Sequence, residues 1–404
     1  MNFRRLGTLL CLAAACSDET GPVADMRFAS LAAGAMSACG RTVEGEVLCW
    51  GANAYGQLGT GDTERRLVPS PVAGRPRFSQ MDQGSTACAI DLAGRPYCWG
   101  VGGSGVIGNG STGGLDLCGD GFAVDCNVRP QAVRTGERFR QVVNNGGISC
   151  GLTEAARAYC WGVYQGGYLG IGVVPDGSQP LVQCTPRYSS RYYFSDGRCA
   201  PEPVAVAGEH RFRTIAAGAG QVCGATDGGK LLCWARATEG DSAERYAPTE
   251  VPGAPAFTQL SGGLSLLCGV TAAGAAHCWG ELFGSDGRFH APSPTSVGAD
   301  VVFANVTVGD EHACGATPGG TAYCWGTNHR GQLGDGSTID AVGDGTLEPV
   351  FVAGGHSFRE LAAGADFTCG ITFEGETYCW GANANGQLGN GTLSGSLVPV
   401  RLRF

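Results

Sequence analysis

Lysine is almost missing from this chain: Lys230 is the only one in 404 residues, and acidic side chains outnumber basic ones by 36 to 27, for a formal charge of −9. Binding to a phosphate backbone draws on clustered Lys and Arg, so nucleic acid is not an expected partner. Histidine is scarce too. The six, at 210, 277, 290, 312, 329 and 356, stand in no motif with Ser or Asp at catalytic spacing, so no nucleophilic triad is legible. Charged residues are only 16% of the chain, and no run of apolar residues is long enough to span a bilayer. Cysteines lack the Cys-x-x-Cys approach of zinc sites, and the Gly-rich strings lack the Lys-Ser/Thr of a phosphate loop. Acidic stretches around Asp116, Asp120 and Asp125, and from Asp335 to Asp344, follow no calcium-loop order and read as solvated loops. Neither a metal nor a cofactor is expected. What the chain has in excess is glycine, 69 residues, beside 43% hydrophobic residues. That combination suits a compact all-β chain with many tight turns and rules out a long helical one.

Residues 1–16 read MNFRRLGTLLCLAAAC, a basic pair followed by a short apolar run ending in small residues before Cys16. The end of that run, Leu-Ala-Ala-Ala-Cys, resembles a bacterial lipoprotein box, although Ala13 stands where Leu is more usual. The resemblance implies cleavage after residue 15, lipidation of Cys16, a tether over 16–25 and an exported protein held on the cell envelope, with Ser17 pointing to the outer membrane. An ordinary secretory peptide is the alternative, and it also implies export.

Self-similarity dominates the remainder. Each of the seven Trp follows a Cys, and each such Cys has a partner ten positions earlier: Cys39 and Cys49, Cys88 and Cys98, Cys150 and Cys160, Cys223 and Cys233, Cys268 and Cys278, Cys314 and Cys324, Cys369 and Cys379. A Phe precedes the first Cys by eleven residues in six units and by ten at Phe78, and a Pro-Val strand lies upstream of it, as at Pro203-Val204. Between the paired cysteines, three-residue turns place Gly at a left-handed position in six units and Ala156 in the third. Four short antiparallel strands per unit, repeated seven times, predict an all-β, seven-bladed β-propeller with four-stranded blades over 26–404. Pro399-Val400-Arg401-Leu402 has the form of a first strand with no unit after it, so it is expected to complete the blade of Phe28 and close the ring.

Units such as CGITFEGETYCWGANANGQLGNG from Cys369 resemble the repeat of the regulator of chromosome condensation family, and the resemblance covers roughly residues 26–404. The string Trp-Gly-x-Asn-x-x-Gly-Gln-Leu-Gly is complete in units one, six and seven, fragmentary in two and three, and lost in four and five. The family's usual His before the first Cys position survives only as His312. The resemblance implies a binding propeller, since members act as exchange factors, chromatin binders and inhibitors. An envelope lyase or hydrolase with residues gathered from several blades is the alternative.

Positions ten apart face each other across a three-residue turn, close enough for a disulfide. Setting aside Cys11 and Cys16 leaves eighteen cysteines, so the hairpin pairs plus Cys118 with Cys126 and Cys184 with Cys199 predict nine disulfides, with buried free thiols as the alternative. Two adjacent units carry insertions, at about 101–129 and 163–202, both after the Cys-Trp-Gly strand end. They are expected to leave one face together. The second is rich in Tyr and Arg, and Arg187, Tyr188, Arg191, Tyr192, Tyr193 and Arg198 are its candidate contacts for a protein or glycan. A monomeric, non-enzymatic, surface-anchored binding module is the expectation.

Overall fold

The computed structural model describes residues 26–404 apart from 120–122, 165–166, 175–179, 185–196, 236–244, 284–287 and 344–345. Seven antiparallel blades form a propeller. Blade 1 runs Phe28–Ala33, Ser37–Thr42, Val47–Gly51 and Arg66–Pro71, hydrogen-bonded in that order. Blades 4 to 7 repeat it, starting at Phe212, Phe257, Asn305 and Phe358. Blades 2 and 3, starting at Phe78 and Phe139, each add a fifth strand outside the fourth, Asp116–Cys118 and Val182–Gln183. These come from the two insertions, so the four-stranded expectation holds for five blades and is corrected for two.

Three residue types set the blade. The second and third strands are buried on both faces, which suits runs such as Val47-Leu48-Cys49-Trp50 with no polar alternation. The initial Phe lies across the second strand, where the facing position is Gly in six blades and Ala89 in blade 2: a Cβ at Gly40 would sit 2.5 Å from the Phe28 ring, and Gly151, Gly224, Gly269, Gly315 and Gly370 are similarly placed under their own Phe. The turn between second and third strands is left-handed, with φ +87° at Gly45, and Ala156 accepts the same conformation at φ +64°.

The Pro-Val strand belongs to the unit before it. Arg66–Pro71 pairs with Val47–Gly51, and Ser396–Arg401 pairs with Thr377–Gly381 in blade 7. The expectation that the C-terminal strand completes the blade of Phe28 is therefore wrong: blade 1 already has its fourth strand, and every blade is built from one continuous stretch of chain. Closure is lateral instead. Leu31 N–H donates to Glu360 Oε1 (2.8 Å), the Arg359 guanidinium donates to Phe28 O (2.7 Å) and Ala29 O (3.1 Å), and Phe28, Trp50, Phe367, Leu388 and Leu402 share one buried cluster.

Because strands alternate in direction, the disc has two unlike faces. Turns between first and second strands, and the long loops after each Cys-Trp strand, leave by the loop face. The Gly45-type hairpins, the links between blades and both ends of the described chain lie on the hairpin face, where the Phe28 and Phe404 rings are 5.5 Å apart.

Candidate functional site: the channel and the loop face

The repeated string is conspicuous in the sequence, and its polar residues are occupied internally. Asn53, Asn328 and Asn383 accept from the N–H of Leu58, Leu333 and Leu388 and donate to the far side of the same loop, at Asp62 O, Ser337 O and Thr392 O. Each folded loop then receives the Trp of the next blade. Trp99 Nε1 donates to Gln57 O, Trp380 to Gln332 O and Trp50 to Gln387 O, at 2.9–3.0 Å, and the fragmentary loops of blades 2 and 3 do the same for Trp161 and Trp234. The string is a latch between blades. Blade 5 has lost it, and its third and fourth strands, Ala276–Phe283 and Arg288–Val297, continue as a plain hairpin. The fully buried Trp325 of blade 6 shares its cluster with Leu282 and Phe289 from that hairpin, and its indole N–H has no acceptor among the described residues.

All seven first strands line a central channel of about 660 Å³. Two features of its wall carry a sequence signal that periodicity in Phe, Cys and Trp does not reveal. At the second residue after the Phe, Gln80, Gln141 and Gln259 reach across to the next blade, each accepting one backbone N–H and donating to the C=O of the same residue: Val142, Ile215 and Val306. At the sixth, Gly34, Gly84, Gly218, Gly263, Gly309 and Gly364 form the rim on the loop face, with Asn145 in blade 3. A Cβ at Gly263, Gly309 or Gly364 would run into the carbonyl of Gly309, Gly364 or Gly34, the matching glycine of the following blade.

Carboxylates from three blades enter the channel. Asp82 accepts the Asn144 N–H at 2.7 Å, and burial pushes its pKa up to about 7. Asp310 is raised to about 6 by burial and by the neighbouring charges of Asp366 and Glu311. Glu360 is raised by burial, which the Leu31 N–H partly offsets. On the loop face His329 lies 3.6 Å from Asp366. His312 is fully buried, its Nε2 2.8 Å from Thr368 Oγ1 of the next blade, and burial holds its pKa down to about 4. It therefore sits inside a seam, as does Ser37 in the equivalent position, which accepts from Gln83 Nε2.

Nine cysteine pairs stand at disulfide distance. The seven hairpin pairs lie directly opposite in register with Cα atoms 4.0–4.1 Å apart, while Cys118 with Cys126 and Cys184 with Cys199 are at 5.9 and 5.8 Å. Both insertions leave the loop face from neighbouring blades. Of the candidate contacts, Arg187, Tyr188, Arg191, Tyr192 and Tyr193 lie outside the described residues, as do Cys16 and Asp120. Arg198 is described and turns inward, its guanidinium 4.8 Å from the Tyr164 ring centre and donating to Val174 O at 3.0 Å. Three carboxylates of the acidic stretches serve their own loops: Asp335 accepts from Asn328 and Ser337, Asp340 from Asn328 N–H, and Asp116 from Val128 N–H, while Asp344 lies outside the described residues.

A disc of seven blades, latched by a recurrent Trp-centred loop and stapled within each blade, defines a repeat propeller whose unit is specific enough to place. The chain carries repeats of the regulator of chromosome condensation (RCC1) type, matched over residues 44–90, 319–371 and 374–404 by one form of the repeat and over 28–57, 303–332 and 358–387 by another. These are the units that keep the latch. A stretch of 72 residues is 35% identical to the X-linked retinitis pigmentosa GTPase regulator of Mus musculus, covering 18% of this chain and 7% of that protein. Among solved structures, Kap60 bound to yeast RCC1 (Prp20) matches with a TM-score of 0.70 and 16% identity over 99% of this chain and 91% of that one. Human WBSCR16 matches with a TM-score of 0.66 and 18% identity over 85% of each chain. At such identities the likeness is one of fold.

Proposed function

We propose that this propeller is an exported binding module, anchored through lipid on Cys16, that recognises a protein through its loop face. One observation carries the reading. The two largest additions of chain are on the loop face of two adjacent blades, with a smaller hairpin of Val342–Gly343 and Thr346–Leu347 on the same face of blade 6, while the chain enters on the hairpin face at Met26. A tether over 16–25 would hold the hairpin face towards the membrane and present the insertions outward. Nine cysteine pairs fit an oxidising compartment, since a cytosolic protein would keep its thiols reduced. A precedent for protein recognition is the yeast RCC1 bound by Kap60.

The test has two arms. Cys16→Ser protein should leave the membrane fraction for the soluble exported fraction, and membrane retention would refute the anchor. The full exported protein, immobilised through its N-terminal side, should capture an envelope protein that a variant with Tyr188, Arg191, Tyr192 and Tyr193 replaced by Ala does not. Equal capture by both, with unchanged melting temperature, would refute recognition through the second insertion.

A further inference from the structure

The bridge that Gln makes across the channel wall recurs once as an acid. Val142, Ile215 and Val306 each stand opposite a second-strand Gly, at Gly151, Gly224 and Gly315, and each turns both its N–H and its C=O towards the preceding blade. One Gln side chain there answers both groups, its oxygen accepting at 2.9–3.2 Å and its amide donating at 2.8–3.2 Å. Leu31, opposite Gly40, holds the same place in blade 1. The side chain that meets it is Glu360, two residues after Phe358 as each Gln is two residues after its own Phe.

The accepting half of this bridge is intact, since Leu31 N–H donates to Glu360 Oε1 at 2.8 Å. The donating half depends on a proton. Where Gln offers an amide N–H to the carbonyl, the isosteric Glu offers a second oxygen, and an ionised carboxylate only accepts. A protonated carboxyl has one O–H to give. Two arginines carry the charge around Glu360, and both are engaged with other groups. Arg359, its neighbour on the strand, lies 3.8 Å from Oε2 and directs its N–H groups at Phe28 O and Ala29 O. Arg41, from the second strand of blade 1, donates to Ser30 Oγ and Thr42 O. Burial pushes the Glu360 carboxyl above its ordinary range, against the pull of the Leu31 N–H and of these two charges. The channel that Glu360 lines gives solvent a path to it.

We infer that Glu360 is a proton-binding site built into the closure of the ring: with one proton taken from solvent it donates to Leu31 O and completes a fourth bridge of the Gln kind, and without that proton the bridge is half made. The latch of Trp50 and the two Arg359 bonds persist in both forms, so the ring stays closed. What the proton sets is how firmly the first strands of blades 7 and 1 are held in register. The bridge is whole on the acid side and its donating half is lost as the pH rises through the folded-state value of Glu360. The inference stands apart from the anchor and from the partner of the loop face.

Native-state hydrogen exchange on the oxidised full chain, from about pH 4 to about pH 8, reads the bridge directly. The reporter is the Leu31 amide, corrected for intrinsic rates and referred to Ile215, whose partner Gln141 does not titrate. Leu31 protection relative to Ile215 should fall by roughly three- to tenfold as the pH rises across this range, the worth of one net hydrogen bond. Glu360→Gln installs the permanent donor and should hold Leu31 at its acid-side protection throughout. A wild-type ratio that stays flat with pH overturns the inference. So does a Glu360→Gln protein that keeps the wild-type slope. Lower Leu31 protection in that variant than in the wild type at pH 8 would also overturn it, because the ionised carboxylate beside Arg359 would then be the form that holds the seam.

Discussion

Replacing Trp by Phe should give opposite outcomes at two chemically identical buried positions. Trp380 Nε1 donates to Gln332 O at 2.9 Å, and that carbonyl also accepts from Thr368 Oγ1 at 3.0 Å. Trp325 is as deeply buried, but its N–H has no acceptor among the described residues. Trp380→Phe loses a buried hydrogen bond worth about 1 kcal/mol, and it leaves a cavity of about another 1 kcal/mol where the second ring was. Trp325→Phe leaves the same cavity but removes a buried unsatisfied donor, whose desolvation costs about 1–3 kcal/mol in the native protein. The volume term is common to both and cancels in the comparison. Trp380→Phe should therefore be more destabilising than Trp325→Phe by about 2–4 kcal/mol, with Trp325→Phe near neutral or stabilising. The assay is denaturant unfolding of the oxidised proteins at equal slope. Equal losses at the two sites would refute the claim that the loop after the preceding Trp satisfies the indole, and would reduce the string to a packing motif.

Further outcomes follow from other parts of the ring. Gly309→Ala must move the Gly364 backbone and should cost about 3 kcal/mol or more, whereas Gly74→Ala, with open space around it, should cost only the strain of its positive φ, about 1 kcal/mol; thermal melts compare them. Asp82 is raised in the folded state, so its contribution to stability is fully present below pH 3.8 and is lost as pH rises through about 7; Asp82→Asn should flatten that part of a melting-temperature profile. His312 is lowered, so its contribution is present above pH 6.5 and declines as pH falls towards 4, and His312→Gln should remove an acid-side loss of the opposite slope. Removing one hairpin disulfide by Cys314→Ala with Cys324→Ala should cost about 2–3 kcal/mol by loop entropy, and a loss under about 0.5 would mean that the reduced hairpin stays closed on its own.

The blade was legible because Phe, Cys and Trp each occupy one fixed place in it, and the left-handed turn residue, Ala156 included, followed from spacing between cysteines. Where to cut the repeat was not legible. A ring of repeats has no origin, so a Pro-Val strand can be grouped with the Phe after it or the Trp before it at identical periodicity. Only the pairing of Arg66–Pro71 with Val47–Gly51 decides. The fifth strands of blades 2 and 3 are three and two residues long, too short to show alternation. The Gln and Gly of the channel wall recur in plain sight at two and six residues after the Phe. Their meaning depends on how closely the next blade approaches, which a one-dimensional pattern does not contain. The latch string stood out most as the mark of the repeat, and its Asn and Gln are spent on holding their own loops.

Because each blade is one uninterrupted stretch, with no strand lent across the closure, the gene for such a disc can grow or shrink by whole cassettes. A duplicated segment from one inter-blade link to the next brings a finished sheet, its own staple and, where present, its own latch for the following Trp. A closure that borrowed a strand from the far terminus would tie the two ends of the reading frame together and oppose that freedom. The same independence allows the chain to be recut at any link on the hairpin face, joining residue 404 to residue 26 across a gap that the Phe28 and Phe404 rings already close to 5.5 Å. Blades with unlike insertions could then be reordered, and the pair carrying the outward loops moved around the disc, without rewriting any sheet.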